Sequence, residues 1–388
     1  MKVLLVHAAG DGDARSSPYR GQAFLGALAA AGLDLMVVDV TGGTRAAPRP
    51  ALPPVPPGIA HRVVGANVSP WRSLAGDAGL AALCREQAPD LIQTLGTAPQ
   101  LAPVWPALTA GRVPIVHAVA AGGPVRETPD LLDPCARIRP ALRSLGGMMA
   151  RRASRHVSAL IGSNRRDIGR HRELGFFPAS RFSVVAGVPV ALAPDQTPRS
   201  AAVPPPPWPR FGYFNPDHTA ASWNFLREAA SMVGSSSFTL AVAPDPGSAA
   251  LRAPVGGTVA VLADDDAAAL VEAVDVLIVP YADDCFAEVI TRALVAGRVV
   301  IASDNGLNAE FLDYGRRGIL FANGDGSDLA DKMLDVILSW HSRAMSFEVA
   351  EEVIEMTSPR RCAAVFAAAY ERMMAATGAP PARSATGR

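Results

Sequence analysis

The sequence predicts an α/β protein with two doubly wound, Rossmann-like domains. Its 388 residues are enough for two domains, each with a hydrophobic core of its own. In both halves of the chain, short apolar runs typical of buried parallel strands alternate with helical patterns. The proline-rich stretch 194–209 separates the halves and predicts a linker.

The domain boundaries follow from this linker and from the end of the chain. The first domain is expected over 1–193, and the second over 210–357. A helical pattern at 358–377 is long enough to be an element of its own. Residues 378–388 have the composition of a disordered tail.

Composition excludes several classes of protein. Lysine plus arginine equals aspartate plus glutamate, 36 against 36, so no global charge favours a nucleic-acid partner. The cysteines lack a C-x-x-C pair and predict reduced thiols in the cytoplasm. The apolar run at the N-terminus is too short for a signal peptide, and no stretch reaches the ~20 apolar residues of a membrane span. The four cysteines are Cys84, Cys135, Cys285 and Cys362.

The first domain opens with a strand–helix–strand pattern: a strand over Val3–Ala8, a helix over Gln22–Ala31 and a strand over Leu33–Val40. Gly10 and Gly12 follow the first strand, but Arg15 occupies the third glycine position of a dinucleotide-binding fingerprint, which disfavours a nicotinamide cofactor. Further elements are predicted as a helix at 74–86, strands at 90–94, 113–119 and 157–162, and a helix from Arg165 capped by Ser163 or Asn164.

The second domain centres on the stretch 274–325. It contains a buried strand over Asp275–Tyr281, a helix over Phe286–Ala296, a second buried strand over Val299–Ser303 and a helix over Asn308–Tyr314. The loops after these strands lie on one edge of a parallel sheet, where open α/β sheets bind ligands. Other elements are predicted as strands at 211–214, 238–243 and 258–263, and helices at 219–233, 328–341, 346–355 and 358–376.

The order and spacing of residues in this stretch resemble the donor-binding segment of the family-4-like (group 1) retaining glycosyltransferases of the GT-B fold. The matching residues are Asp275, Pro280, Phe286, Ala293, Gly297, Val300, Ala302, Gly306, Glu310, Gly318 and Leu320. The resemblance implies two Rossmann-like domains that face each other across a cleft, with the helix at 358–377 crossing back to the first. It also implies sugar transfer from a nucleotide-sugar donor to an acceptor hydroxyl, with retention of configuration and without a bound metal or cofactor.

The resemblance also implies roles for individual residues. Asp284 matches the glutamate that lies near the transferred sugar, and the backbone at Cys285, Phe286 and Ala287 matches the phosphate-binding turn. Asn308 and Glu310 match the donor loop. On the acceptor side, the resemblance implies a role for the loop with Gly10 and Gly12, and the loop with Gly122 and Gly123 after a predicted strand can approach a ligand closely. The family's site histidine matches Ala120, so His117 is either a catalytic histidine that contacts substrate or a histidine of the core.

Three positions depart from the family pattern. Tyr213 and His218 stand where an arginine and a lysine neutralise the donor diphosphate, and Arg292 replaces a glutamate that binds the ribose. Arg292 either takes over phosphate binding or forms an i,i+4 salt bridge with Glu288. These changes leave open an alternative, a catalytically degenerate glycosyltransferase-like protein that binds a glycan, a nucleotide or a partner.

Two charged segments can each be interpreted either as a functional site or as an ordinary structural feature. The segment Arg137–Arg181 contains eleven arginines and two acids, which fits either peripheral contact with anionic lipid or a solvated surface. Asp264–Asp266 follow a predicted strand like a metal-binding D-x-D motif, but acids are also favoured at the start of the helix that follows. No metal site is therefore predicted, and the acceptor is undetermined.

Overall fold

The computed structural model describes two compact units. The first comprises Met1–Pro189 together with the chain from Pro359 onward, and the second comprises Val190–Ser358. The described residues are 1–9, 19, 21–41, 54–65, 78–96, 104, 108, 113–119, 148, 151–192, 207–214, 220–233, 239–242, 258–261, 267–280, 284–304, 306–340 and 347–377.

The first unit is built on a parallel sheet of seven strands in the order β3-β2-β1-β4-β5-β6-β7. Its strands are β1 (Lys2–Ala9), β2 (Asp34–Thr41), β3 (Ala60–Gly65), β4 (Leu91–Leu95), β5 (Ile115–Val119), β6 (Val157–Gly162) and β7 (Phe182–Val185). Its helices are α1 (Gln22–Ala30), α2 (Ala78–Gln87) and α3 (Arg165–Glu173).

The second unit is built on a parallel sheet of six strands in the order β10-β9-β8-β11-β12-β13. Its strands are β8 (Arg210–Tyr213), β9 (Thr239–Val242), β10 (Thr258–Val261), β11 (Val276–Val279), β12 (Val299–Ser303) and β13 (Ile319–Phe321). Its helices are α4 (Ala220–Val233), α5 (Ala267–Ala273), α6 (Asp284–Val295), α7 (Gly306–Phe311), α8 (Gly326–Leu338) and α9 (Phe347–Thr357).

Both sheets have the strand order of a doubly wound Rossmann fold. The order reverses between β1 and β4 in the first sheet and between β8 and β11 in the second. In such sheets the crevice for a ligand lies outside the carboxyl ends of the strands at this reversal, the topological switch point. The fold class predicted from the sequence is therefore present in each unit.

Alternating residues of the first sheet supply two hydrophobic layers. Leu4 and Val6 of β1 belong to the layer that includes α2, whereas Val3 and Leu5 belong to the opposite layer with α1. The C-terminal helix α10 (Pro359–Thr377) packs in that second layer through residues spaced at helical intervals. These buried residues are Cys362, Ala363, Phe366, Ala369, Tyr370 and Met373.

Local sequence signals explain several element ends. Asn164 caps α3, since its side-chain oxygen accepts a hydrogen bond from the backbone N–H of Asp167 at 2.8 Å. Asp325 caps α8 through the N–H groups of Ser327 and Asp328. Within the described residues, no helix is long and apolar enough to cross a membrane.

Candidate active site

Helix α6 begins at the carboxyl edge of the second sheet, just after β11. Its first turn contains the backbone of Asp284, Cys285 and Phe286, and Ala287 is buried against the sheet. The first N–H groups of a helix have no partner within it and point toward the N-terminal end, where an anion is favoured. This geometry suits the predicted phosphate-binding turn. The side chains of Asp284, Cys285 and Phe286 lie outside the described part of the chain.

The predicted donor loop joins β12 to α7. Asn308 is fully buried, and its amide donates a hydrogen bond to the hydroxyl of Ser303 at 3.3 Å, which fixes the turn at the end of β12. Glu310 lies two residues further along α7 and is half-buried. Because residues two apart do not share a helix face, Asn308 supports the turn from within while Glu310 points another way.

The end of β12 is also fastened to the end of β13. The carboxylate of Asp304 accepts a hydrogen bond from the backbone N–H of Asn323 at 3.1 Å. The N–H of Asp304 donates to the carbonyl of Phe321 at 2.8 Å. The sequence did not single out Asp304, although an exposed acid directly after a buried strand is a signal for such a turn.

Arg292 forms the intrahelical ion pair that one interpretation of the sequence predicts. Its Nη2 lies 2.8 Å from Oε1 of Glu288 and its Nε lies 3.2 Å from the same atom. The side chain of Arg292 is 19% exposed and that of Glu288 is 57% exposed. A role of Arg292 in donor binding stays a prediction.

Tyr213 and His218 are the two positions expected at the donor diphosphate, and the structure describes the first of them. Tyr213, the last residue of β8, is fully buried and belongs to the core formed with Phe211, Leu226 and Ile278. The tyrosine therefore contributes to packing at the switch point, in place of the charge that a family arginine would supply. His218 lies outside the described residues.

His117 lies inside the first unit. Its Nδ1 is 3.1 Å from the hydroxyl of Thr94, its ring stacks on Phe177 with centroids 5.0 Å apart, and the side chain is buried. Burial, and secondarily the neighbouring His171, lowers the pKa of His117 to about 3, so the ring is neutral near pH 7. This placement matches the core-histidine interpretation more closely than a direct contact with substrate.

The remaining predicted site residues fall where the structure describes nothing. Gly10 and Gly12 follow β1, and Gly122 and Gly123 follow β5 beyond its last described residue. Asp264–Asp266 lie between β10 and α5, also outside the described residues.

The structure reveals one polar network that the sequence analysis missed. The carboxylate of Asp39 on β2 lies between two imidazoles: Nδ1 of His7 is 3.1 Å from Oδ1, and Nε2 of His61 is 2.7 Å from Oδ2. Asp39 and His7 are buried, whereas the side chain of His61 is 36% exposed. The sequence does contain a signal for this network, because His7 and Asp39 are polar residues near the ends of two otherwise apolar strands, β1 and β2.

Comparisons with known proteins agree with this fold. Residues 220–339 match the family model described as glycosyl transferases group 1. Sucrose-phosphate synthase from Thermosynechococcus elongatus is similar with a TM-score of 0.68 at 16% identity, over 97% of this chain and 100% of that chain. No curated protein matches the sequence.

Two further solved structures share the fold. Alr3699/HepE from Anabaena, solved in complex with UDP, has a TM-score of 0.63 at 14% identity, over 96% of this chain and 100% of that chain. The lipopolysaccharide outer core galactosyltransferase WaaB has a TM-score of 0.65 at 13% identity, over 96% and 100%.

The chain therefore has the fold of the GT-B glycosyltransferases. Residues 220–339, within the second unit, are similar to the group 1 glycosyl transferases. The fold class predicted from the sequence is confirmed, and the match over residues 220–339 agrees with the family resemblance.

Proposed function

We propose that this protein is a retaining, metal-independent glycosyltransferase that moves a sugar from a nucleotide-sugar donor to an acceptor hydroxyl. The match of residues 220–339 to the group 1 family is the observation that carries the proposal. This segment holds the start of α6 and the Ser303–Asn308 turn, both at the carboxyl edge of the second sheet. A helix start beside a hydrogen-bonded turn suits a ligand that combines a diphosphate with hydroxyl groups.

In this proposal each group at the edge has a defined role. The N-terminal N–H groups of α6 bind the diphosphate, and Asp284 accepts hydrogen bonds from the hydroxyls of the transferred sugar. Arg292 supplies positive charge that Tyr213 cannot supply. Asn308 keeps the donor loop in place through Ser303.

Uridine nucleotides are the first donors to test, because the similar Anabaena protein was solved with UDP and with UDP-glucose. UDP-, GDP-, ADP- and CMP-sugars are titrated calorimetrically into the wild type and into Asp284→Ala. The matched control is Asp331→Ala, which removes an exposed acid of α8 far along the chain from the donor loop. We expect one nucleotide class to bind the wild type and the control, and binding to be lost in Asp284→Ala.

Product analysis tests the finer parts of the proposal. We expect the anomeric configuration of the donor to be retained in the product, and turnover to persist in excess EDTA. Inversion would refute the retaining mechanism, and loss of turnover in EDTA would refute metal independence. If a folded sample neither binds nor turns over any nucleotide sugar of the panel, the proposed enzymatic activity is refuted and the binding-only alternative is favoured.

We also propose that the protein works in the cytoplasm and contacts the inner face of the membrane through the segment Arg137–Arg181. Seven of its eight described arginines are exposed, and Arg170 is half-exposed. Such a surface attracts anionic headgroups. We expect salt-sensitive co-sedimentation with vesicles of anionic lipid and none with neutral vesicles; no attachment at low salt would refute the membrane contact. The exposed seven are Arg151, Arg152, Arg155, Arg165, Arg166, Arg172 and Arg181.

A further inference from the structure

We propose that Glu352 of α9 positions the predicted donor loop by holding the side chain of Arg317 against the end of α7. This role rests on the proposed binding of a nucleotide-sugar donor and extends it to α9. Asn308 and Glu310 of the donor loop both lie on α7, which ends at Phe311. A restraint on the end of α7 is therefore a restraint on the loop.

The side chain of Arg317 joins α7 to α9. Its Nη1 donates a hydrogen bond to the backbone carbonyl of Phe311 at 2.8 Å. Its Nη2 donates to Oε1 of Glu352. The side chain of Arg317 is only 9% exposed, so water competes little for either contact. Because the donors of a guanidinium point in fixed directions, the contact of Nη2 with Glu352 also fixes the direction of Nη1 toward Phe311.

Helix α9 is a well-anchored support for this contact. Ala350 and Val353 on α9 are buried, and the helix packs against α6, whose first turn is the proposed phosphate site. At the end of α9, the carbonyl of Thr357 accepts a hydrogen bond from the backbone N–H of Val190 at 2.8 Å. Helix α9 therefore contacts both elements to which the proposed function assigns the donor.

The turn after α7 contains backbone strain. Asp313 and Tyr314 have φ angles of 47° and 51°, a left-handed conformation that is costly for residues other than glycine. Tyr314 is 75% exposed, so burial of its ring does not compensate. Arg316 pairs with Asp313 at 2.5 Å and with Glu352 at 2.6 Å, but its side chain is 53% exposed, and exposed ion pairs contribute little. The buried contact of Arg317 is therefore the main side-chain restraint on this turn.

Stability alone does not account for the buried guanidinium. A buried ion pair contributes little net stability compared with apolar residues of similar volume. What Arg317 adds is direction, because it holds one carbonyl at the end of a helix of only six residues. Near the start of the same helix, the amide of Asn308 is bonded to the hydroxyl of Ser303. Helix α7 is thus held from both sides, and a shift of about 1 Å in a ligand-binding group can greatly weaken its function.

The chosen variants separate the buried contact from the exposed one. Glu352→Gln removes the charge that holds both arginines, and its side chain is 38% exposed, so the variant should fold. Arg317→Gln removes the contact with Phe311. Arg316→Gln is the matched control, because Arg316 binds the same carboxylate from the exposed side. Asp275→Asn controls for loss of stability, since Asp275 lies at the opposite ends of the strands.

UDP-glucose is titrated calorimetrically into each variant at a temperature at which all of them are folded. We expect Glu352→Gln and Arg317→Gln to raise the dissociation constant about tenfold or more, because the donor loop loses its fixed position. Arg316→Gln should change it by less than about twofold, and Asp275→Asn should leave it unchanged despite its lower stability. An unchanged dissociation constant in Glu352→Gln would overturn the inference. Weakening by Asp275→Asn or Arg316→Gln equal to that by Glu352→Gln would overturn it as well, since the effect would then not run through Arg317.

Hydrogen exchange of the ligand-free protein distinguishes failure of this role from failure of the proposed function. The N–H of Leu312 donates to the carbonyl of Asn308 at 2.8 Å, and the N–H of Arg317 donates to the carbonyl of Leu312 at 3.0 Å. In Glu352→Gln both amides should exchange about tenfold or more faster than in the wild type, while the amides of β11 keep their rates. Unchanged exchange would overturn the inference whatever the titration shows. Faster exchange, in a protein whose wild type binds no nucleotide sugar, would refute the proposed function and leave the restraint of α7 by Glu352 standing.

Discussion

The guanidinium of Arg210 donates two hydrogen bonds to the carboxylate of Asp275, at 2.9 Å from Nε and 3.1 Å from Nη2. The backbone N–H of Arg210 donates to the same carboxylate at 3.1 Å, and Nη1 of Arg298 lies 3.6 Å from it. Asp275 thereby joins the amino-terminal ends of β8, β11 and β12, whose opposite ends form the proposed donor site.

Replacing Asp275 with Asn should destabilise the second unit. The change removes the carboxylate charge beside the buried guanidinium of Arg298, and removal of one member of a buried ion pair is strongly destabilising. We expect about 2–3 kcal/mol in the free energy of unfolding, measured by urea denaturation, since Arg210 is partly exposed. Lys332→Gln, which removes the half-exposed i,i+4 pair with Asp328, should change the free energy of unfolding by less than about 0.5 kcal/mol. Equal effects of the two substitutions would contradict this account of Asp275.

Gly212 in β8 should not tolerate a methyl group. A Cβ there would lie 2.7 Å from Cγ1 of Val274 and 3.0 Å from Cδ1 of Leu270. We expect Gly212→Ala to lower the free energy of unfolding by about 1–3 kcal/mol through overpacking. Gly26→Ala is the matched control, because nothing lies within 4 Å of a Cβ in α1 and alanine favours the helix. A thermal midpoint of Gly212→Ala at or above that of the wild type would refute the prediction.

Strands buried on both faces were predictable from the sequence, and the two edge strands of the first sheet were not. The runs at 157–162 and 299–303 are almost wholly apolar, and the structure gives both strands these bounds. The edge strand β3 carries the exposed residues His61, Arg62 and Val63, so its sequence lacks an apolar run. The other edge strand of this sheet, β7, is only half-buried and was missed for the same reason.

Prediction of the site was limited by contacts between residues distant in the chain. The resemblance found the donor segment because its residues are close in sequence, and the turn from Ser303 to Asn308 lies within it. The network of His7, Asp39 and His61 depends on the register of three strands, which sequence periodicity does not fix. The burial of Tyr213 likewise depends on helices packed from elsewhere in the unit.

The buried His117 should make the first unit sensitive to acid. Its pKa in the folded protein is about 3, below the ordinary value of 6.5, and burial also lowers the pKa of His171. The unfolded chain therefore binds more protons than the folded protein below about pH 6.5. The contribution of these histidines to the free energy of unfolding is therefore fully present above this pH. It falls as the pH drops toward 3, by at most about 1.4 kcal/mol per pH unit for each histidine.

His117→Gln tests this pH dependence, because the amide does not titrate. The free energy of unfolding is measured by urea denaturation between pH 4 and 7.5. We expect a shallower slope below pH 6.5 than in the wild type, whatever the absolute stability of the variant. His156→Gln, which changes an exposed histidine, should keep the wild-type slope. An unaltered slope in His117→Gln would show that this ring does not sense the pH.

Arg292 and Glu288 form an ion pair, and substitution of each should have a different effect on donor binding. The pair is exposed on the Glu288 side, so either alanine substitution should lower the free energy of unfolding by only about 0.3–0.5 kcal/mol. If the guanidinium also binds the donor phosphates, Arg292→Ala should weaken UDP binding about tenfold or more, the effect of one charge-assisted hydrogen bond. Glu288→Ala frees the guanidinium and should preserve or strengthen binding in the same calorimetric titration. Equal weakening by both substitutions would mean that the pair acts only through the helix, and the phosphate role of Arg292 would be wrong.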